Sequence, residues 1–144
     1  MYETAVERRA RPIAIARHPL YALFLPVPIV CFIGALITDL SYLNSGGNLL
    51  WLNFSSWLLA AGLLFGAIAG LFLLIDVIRG VRGLGLWGFL LLLAAWIVEL
   101  INSFVHARDG WTAVAGTGLI LSIVGVVLVL IAGWLWRSAL EVRP

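Results

Sequence analysis

Glu99, Asn102, Ser103 and His106 follow one another at i, i+3, i+4 and i+7 within the stretch AAWIVELINSFVHARDG. On a helix that spacing puts all four on one face. A carboxyl and an imidazole two turns apart are suited to proton exchange, to cation coordination, or to hydrogen bonds that fix the register of neighbouring helices. Asp39, flanked by Thr38 and Tyr42, is the acidic residue at the end of the first apolar run. If both segments cross a membrane, it comes to the same depth as the stripe. Asp39, Glu99, Asn102 and His106 are therefore the candidate site.

The elements that must position them follow from composition. Of 144 residues, 63% are hydrophobic and 11% charged, against roughly 45–50% and about 25% in an ordinary soluble domain. Apolar runs cover about 20–42, 54–78, 84–105 and 111–136, each near or above the ~20 residues a hydrocarbon core requires. The expected fold is all-α: an integral membrane four-helix bundle over 18–137, an N-terminal arm at 1–17 and a tail at 138–144. This leaves no room for a soluble catalytic domain. With no nucleophile elbow, P-loop or dinucleotide-binding turn in a suitable context, the chain is expected not to be an enzyme.

Orientation follows from the arginines, which concentrate on cytoplasmic flanks. Arg8, Arg9, Arg11 and Arg17 precede the first run, Arg79 and Arg82 separate the second from the third, and Arg137 and Arg143 follow the fourth. Only Arg108 falls on the other side, so both termini are expected to be cytoplasmic. Lysine is absent, a usage that suggests a GC-rich bacterial genome and an inner-membrane location. The net charge of +2 is explained by topology and anionic lipid, and nucleic acid is not an expected partner. The basic start lacks a small-residue cleavage site and reads as an uncleaved first helix. Cys31 reads as a packing residue, and the sequon at Asn53 as idle in a bacterium.

Pro19, Pro26 and Pro28 predict a kinked or broken start to the first helix, regular only after Pro28. NSGGNLLWLN reads as the first outer loop, RGVRG as a tight cytoplasmic hairpin and HARDG as the second outer turn. Trp51, Trp57, Trp111, Trp87, Trp134 and Trp136 mark span ends as an aromatic belt. Trp96 is mid-span and expected to pack.

Gly62, Gly66 and Gly70 recur every fourth residue in the second run, with Gly118, Ser122 and Gly125 in the fourth. Small residues let helices approach closely in lipid, within the bundle, against a second copy, or against another membrane protein. His18, Asp76, Arg79 and Arg137 form an inner group, read as orientation anchors.

Glu99 lies about 9 Å below the outer boundary at ~1.5 Å per residue, so its stripe should face protein rather than lipid. Three uses compete. A proton or cation site needs converging carboxylates, although no metal-binding spacing such as HExxH is present. A b-type haem needs two ligands at one depth, whereas His18 and His106 belong to opposite ends. A hydrogen-bonded network that fixes helix register needs neither.

RHPLYALFLPVPIVCFIGALITDLSYL, SSWLLAAGLLFGAIAGLFLLID and ELINSFVHARDGWTAVAGTGLILSIVG together resemble domain of unknown function 2231, a group of small bacterial four-helix membrane proteins. The resemblance covers nearly the whole chain and rests on His18, Pro19, Pro28, Asp39 and Asp76. Many relatives carry a further histidine where this chain has LGLWGF, which removes one candidate cofactor ligand. Some relatives are joined to cytochrome-like modules, so the resemblance implies a link to electron transfer. The residues themselves call for no cofactor and no metal; haem or quinone belongs to the alternative reading. The expectation is an accessory or scaffolding subunit, the alternative a redox-linked or proton- or cation-handling protein.

Overall fold

The computed structural model describes residues 23–108 and 114–141, with side chains through 138. The described residues form four long helices: α1 (Pro26–Asn44), α2 (Leu49–Ile78), α3 (Leu84–Ala107), and α4, a π-helical opening at Val114–Gly118 that continues as the α-helix Leu119–Glu141. All are long and apolar enough to cross a membrane, and the chain is a membrane protein. The N-terminal arm, His18, Pro19, Asp109 and Trp111 lie outside the described residues.

The break in the first segment falls at Leu25, and the helix is regular from Pro26 rather than after Pro28. Both prolines fit its opening turn, where their missing N–H groups have no intrahelical acceptor to serve. α1 ends in a turn built on Gly46 (φ 70°) and Gly47 (φ 90°), with Gly47 N donating to Tyr42 O at 3.0 Å. The next helix starts earlier than the expected 54, because the Asn48 side chain accepts from Leu50 N at 3.0 Å and caps it. LLWLN is therefore helix, and the loop shrinks to 45–48. The 79–83 hairpin turns on Gly80 (φ 111°) and Gly83 (φ 64°), with Val81 N bonded to Asp76 O at 3.1 Å. α3 runs two residues past the expected 105, and α4 five past 136. The π-helical opening of α4 was not expected.

Each helix packs on the next in the chain, and α4 returns to α1, giving an antiparallel ring. The buried positions explain the geometry. On α2 they are Ser55, Leu59, Gly62, Gly66, Ala69, Leu73 and Asp76; on α3, Gly85, Gly88, Leu92, Ala95, Glu99, Asn102 and His106. Alternating steps of three and four make a heptad seam, the pattern of near-antiparallel helices packed at roughly 20°. The outer surface is the reverse of a soluble protein's, with Ile78 75% and Trp57 71% exposed.

The core is divided along its length. Toward the 79–83 end it is mostly apolar, made of Phe32, Leu73, Leu92, Val129, Ala132 and Trp136, with Asp76 buried at the last turn of α2. Toward the 45–48 end it holds polar side chains from every helix.

Candidate functional site

Four helix ends converge here: the last turns of α1 and α3 and the first turns of α2 and α4. Asp39, Ser55, Glu99, Asn102 and Ser122 are completely buried, and His106 is 5% exposed. The sequence-derived cluster of Asp39, Glu99, Asn102 and His106 is thus brought together inside the bundle, and two serines join it.

Asp39 is the hub. Ser55 Oγ donates to its Oδ1 at 2.6 Å, Ser122 Oγ donates to its Oδ2 at 2.5 Å, and His106 Nε2 lies 2.9 Å from Oδ1. The other imidazole nitrogen, Nδ1, is 3.0 Å from Asn102 O. A carbonyl only accepts, so Nδ1 carries a hydrogen. Ser55 Oγ lies 2.6 Å from Asp39 Oδ1 and 3.2 Å from Nε2; two bare acceptors would repel at the 2.9 Å between Nε2 and Asp39 Oδ1, so one proton sits between them. Imidazole and carboxyl therefore have no net charge together, whichever atom holds it.

Asn102 extends the network. Its Nδ2 donates to Ser122 Oγ at 2.8 Å and to Glu99 Oε2 at 2.9 Å. Two buried acceptors remain without a hydrogen-bond partner in this network, Glu99 Oε1 and Asn102 Oδ1. The Glu99 side chain lies against Gly125: a Cβ there would stand 2.5 Å from Glu99 Cδ and 2.8 Å from Cγ, and closer still to Oε1. Gly125, expected as a packing residue, provides the clearance that lets a carboxyl lie between α3 and α4.

The remaining small residues divide between roles. Gly62 faces the Phe32 ring, and Gly66 lies under Trp96, whose Nε1 donates to Leu63 O at 2.9 Å. Gly118 is buried, and Ser122, expected to pack, is a hydrogen-bonding member of the cluster. A hypothetical side chain on Gly70 would meet nothing within 4 Å. Four residues advance a helix by about 40° beyond a full turn, so the every-fourth ladder rolls off the heptad seam and leaves Gly70 at an apolar cleft. That cleft, about 350 Å³, is lined by residues including Gly66, Leu74, Phe89, Leu93 and Trp96.

Asp76 is buried while Arg79 and Arg137 are exposed, and His18 lies outside the described residues. Ser103 is half-buried and does not enter the network. Among the described residues no group of three or more His, Cys, Asp or Glu is arranged to hold a metal ion. A haem iron at His106 would have to displace Asp39 or Asn102 O from the ring.

Ser55 is the member that sequence reasoning missed. A signal was present, since Ser55, Gly62, Gly66, Ala69 and Asp76 share one heptad seam. In a membrane helix, small and polar residues mark the protein-facing side.

The family model described as predicted membrane protein, domain of unknown function 2231, matches residues 17–139. The chain belongs to that family. The match spans α1, α2 and α3, α4 as far as 139, and every member of the cluster. No curated protein and no solved structure matches the chain.

Proposed function

We propose that this family member is a non-catalytic accessory or scaffolding subunit of a larger membrane assembly, its polar cluster serving to lock the four helices in register. The observation that carries this reading is that the cluster's donors from Ser55, Asn102, His106 and Ser122 all end on acceptors inside the bundle. Between the cluster and the 79–83 end the core is filled by apolar side chains such as Phe32, Leu73, Leu92 and Val129. The arginine distribution supports a bacterial inner membrane with both termini cytoplasmic.

The test is native mass spectrometry of protein extracted gently from its own membrane, with Gly66→Leu and Gly70→Leu compared. Gly66 has Trp96 against it while Gly70 is open. Gly66→Leu should therefore weaken the bundle itself, whereas Gly70→Leu should leave the bundle intact and release a co-purifying partner or second copy. A wild-type chain that emerges alone removes the subunit reading.

A second reading, proton handling at the same cluster, is favoured by the two buried oxygens without a hydrogen-bond partner, Glu99 Oε1 and Asn102 Oδ1. Its test is proton uptake by the reconstituted chain.

A further inference from the structure

We infer that Glu99 is an exchangeable proton-binding site, separate from the proton shared by His106 and Asp39. This rests on the proton-handling reading and names the group that carries it.

The argument is a count of hydrogens. Ser55 and Ser122 each supply one donor, Asn102 two and His106 two when its shared proton is on Nε2. Those donors are directed at Asp39, at Asn102 O, at Ser122 Oγ and at one oxygen of Glu99. The oxygens left over belong to a single bonded pair, Glu99 Oε1 and Asn102 Oδ1. Both are pure acceptors when Glu99 is ionised, and buried acceptors without donors are costly. A hydrogen on the Glu99 carboxyl converts an acceptor into a donor and makes the cluster neutral.

Charge leads to the same residue. The described titratable group acting on Glu99 from α1 is Asp39, and from α3 itself His106; α4 faces it with the bare backbone of Gly125, while the Ser55 hydroxyl of α2 and the Ser122 hydroxyl of α4 bond to Asp39. Asp39 and His106 already balance each other, so an ionised Glu99 has no counter-charge in the cluster. Arg108 is exposed at the α3 terminus. On deprotonation the O–H bond breaks, its electron pair stays on the carboxylate, and the proton passes to water at the nearer membrane face. That face is about 12 Å along the axis from Glu99 to Ala107, at ~1.5 Å per residue. Asn102 separates the two proton sites, because a carboxamide donates and accepts hydrogen bonds without readily giving up its own N–H protons.

The experiment is infrared spectroscopy of the full chain reconstituted in phosphatidylcholine vesicles at neutral pH, in H2O and D2O. The expected result is a protonated-carboxyl C=O band that shifts in D2O, disappears in Glu99→Gln and survives in Asp39→Asn. Raising the pH should release one proton per chain fewer from Glu99→Gln than from wild type. Glu99→Gln can supply an N–H where the acid has its O–H, so it should fold. A separate wild-type comparison of band intensity before and after D2O exchange tests exchangeability without a variant. A band lost only in Asp39→Asn would overturn the assignment to Glu99 while leaving proton handling standing. No exchangeable band, together with no proton uptake, would overturn both.

Discussion

Gly125→Ala should destabilise the bundle far more than adding one methyl group ordinarily does. The new Cβ would fall within 3 Å of Glu99 Cγ, Cδ and Oε1 together, so rotating the carboxylate tip cannot relieve the clash. The whole side chain must move, and with it the 2.9 Å bond from Asn102 Nδ2. Overpacking costs about 1–3 kcal/mol, and an intramembrane hydrogen bond averages about 0.6 kcal/mol, reaching about 1.7. Replacing helical glycine by alanine returns up to ~1 kcal/mol, which leaves a net loss of about 1–3 kcal/mol. Reversible unfolding in mixed micelles measures it, and Glu99→Ala in the same background provides the control. Removing the Glu99 side chain vacates the space the methyl needs, so the double variant should lose about 1–2 kcal/mol less than the sum of its parts, within the usual range for contacting residues. A Gly125→Ala protein within ~0.5 kcal/mol of wild type, or strictly additive losses, would refute the placement of Glu99 against Gly125.

Other substitutions test the remaining contacts. Asp39→Leu leaves Ser55, Ser122 and His106 facing an apolar group and should cost about 2–5 kcal/mol. Thr38→Val should cost less than ~1 kcal/mol, since that hydroxyl bonds only to carbonyls of its own helix; thermal unfolding in detergent compares the two. Gly62→Ala, which would place a Cβ 2.5 Å from the Phe32 ring, should lower the midpoint, whereas Gly70→Ala should hold or raise it. Trp96→Phe removes the bond to Leu63 O and should cost about 0.6 kcal/mol, measured by the same unfolding. Reporter fusions at each terminus should both be active on the cytoplasmic side; activity on opposite sides would overturn the arginine-based orientation.

Part of the site was legible because depth is a one-dimensional property. Asp39 near the end of one apolar run and the Glu99–His106 stripe near the end of another must meet one face of the membrane whenever the runs alternate in direction. Ser55 is not legible from hydropathy because it sits near the start of α2, six residues after Leu49, in a helix whose opening LLWLN reads as loop. The stop signal in NSGGN was real, but Asn48 closes the loop by capping the next helix, and capping is a local hydrogen bond that hydropathy does not register. Gly125 and Ser122 were singled out as small residues. Their actual tasks, making room for one carboxyl and bonding another, depend on which helix lies opposite.

The sequence by itself determined the solvent, the number of crossings and the level at which the polar groups gather, because transfer of apolar and charged groups into hydrocarbon acts residue by residue along the chain. Tertiary structure alone decided the rest: that the stripe turns inward, that His106 bridges Asp39 and a backbone carbonyl, that Glu99 Oε1 is buried without a hydrogen-bond partner, and that Gly70 faces outward while Gly66 does not. These outcomes depend on how one helix is rotated against another. In lipid, where nearly every other position is apolar, that rotation is set by close packing and donor–acceptor pairing between helices.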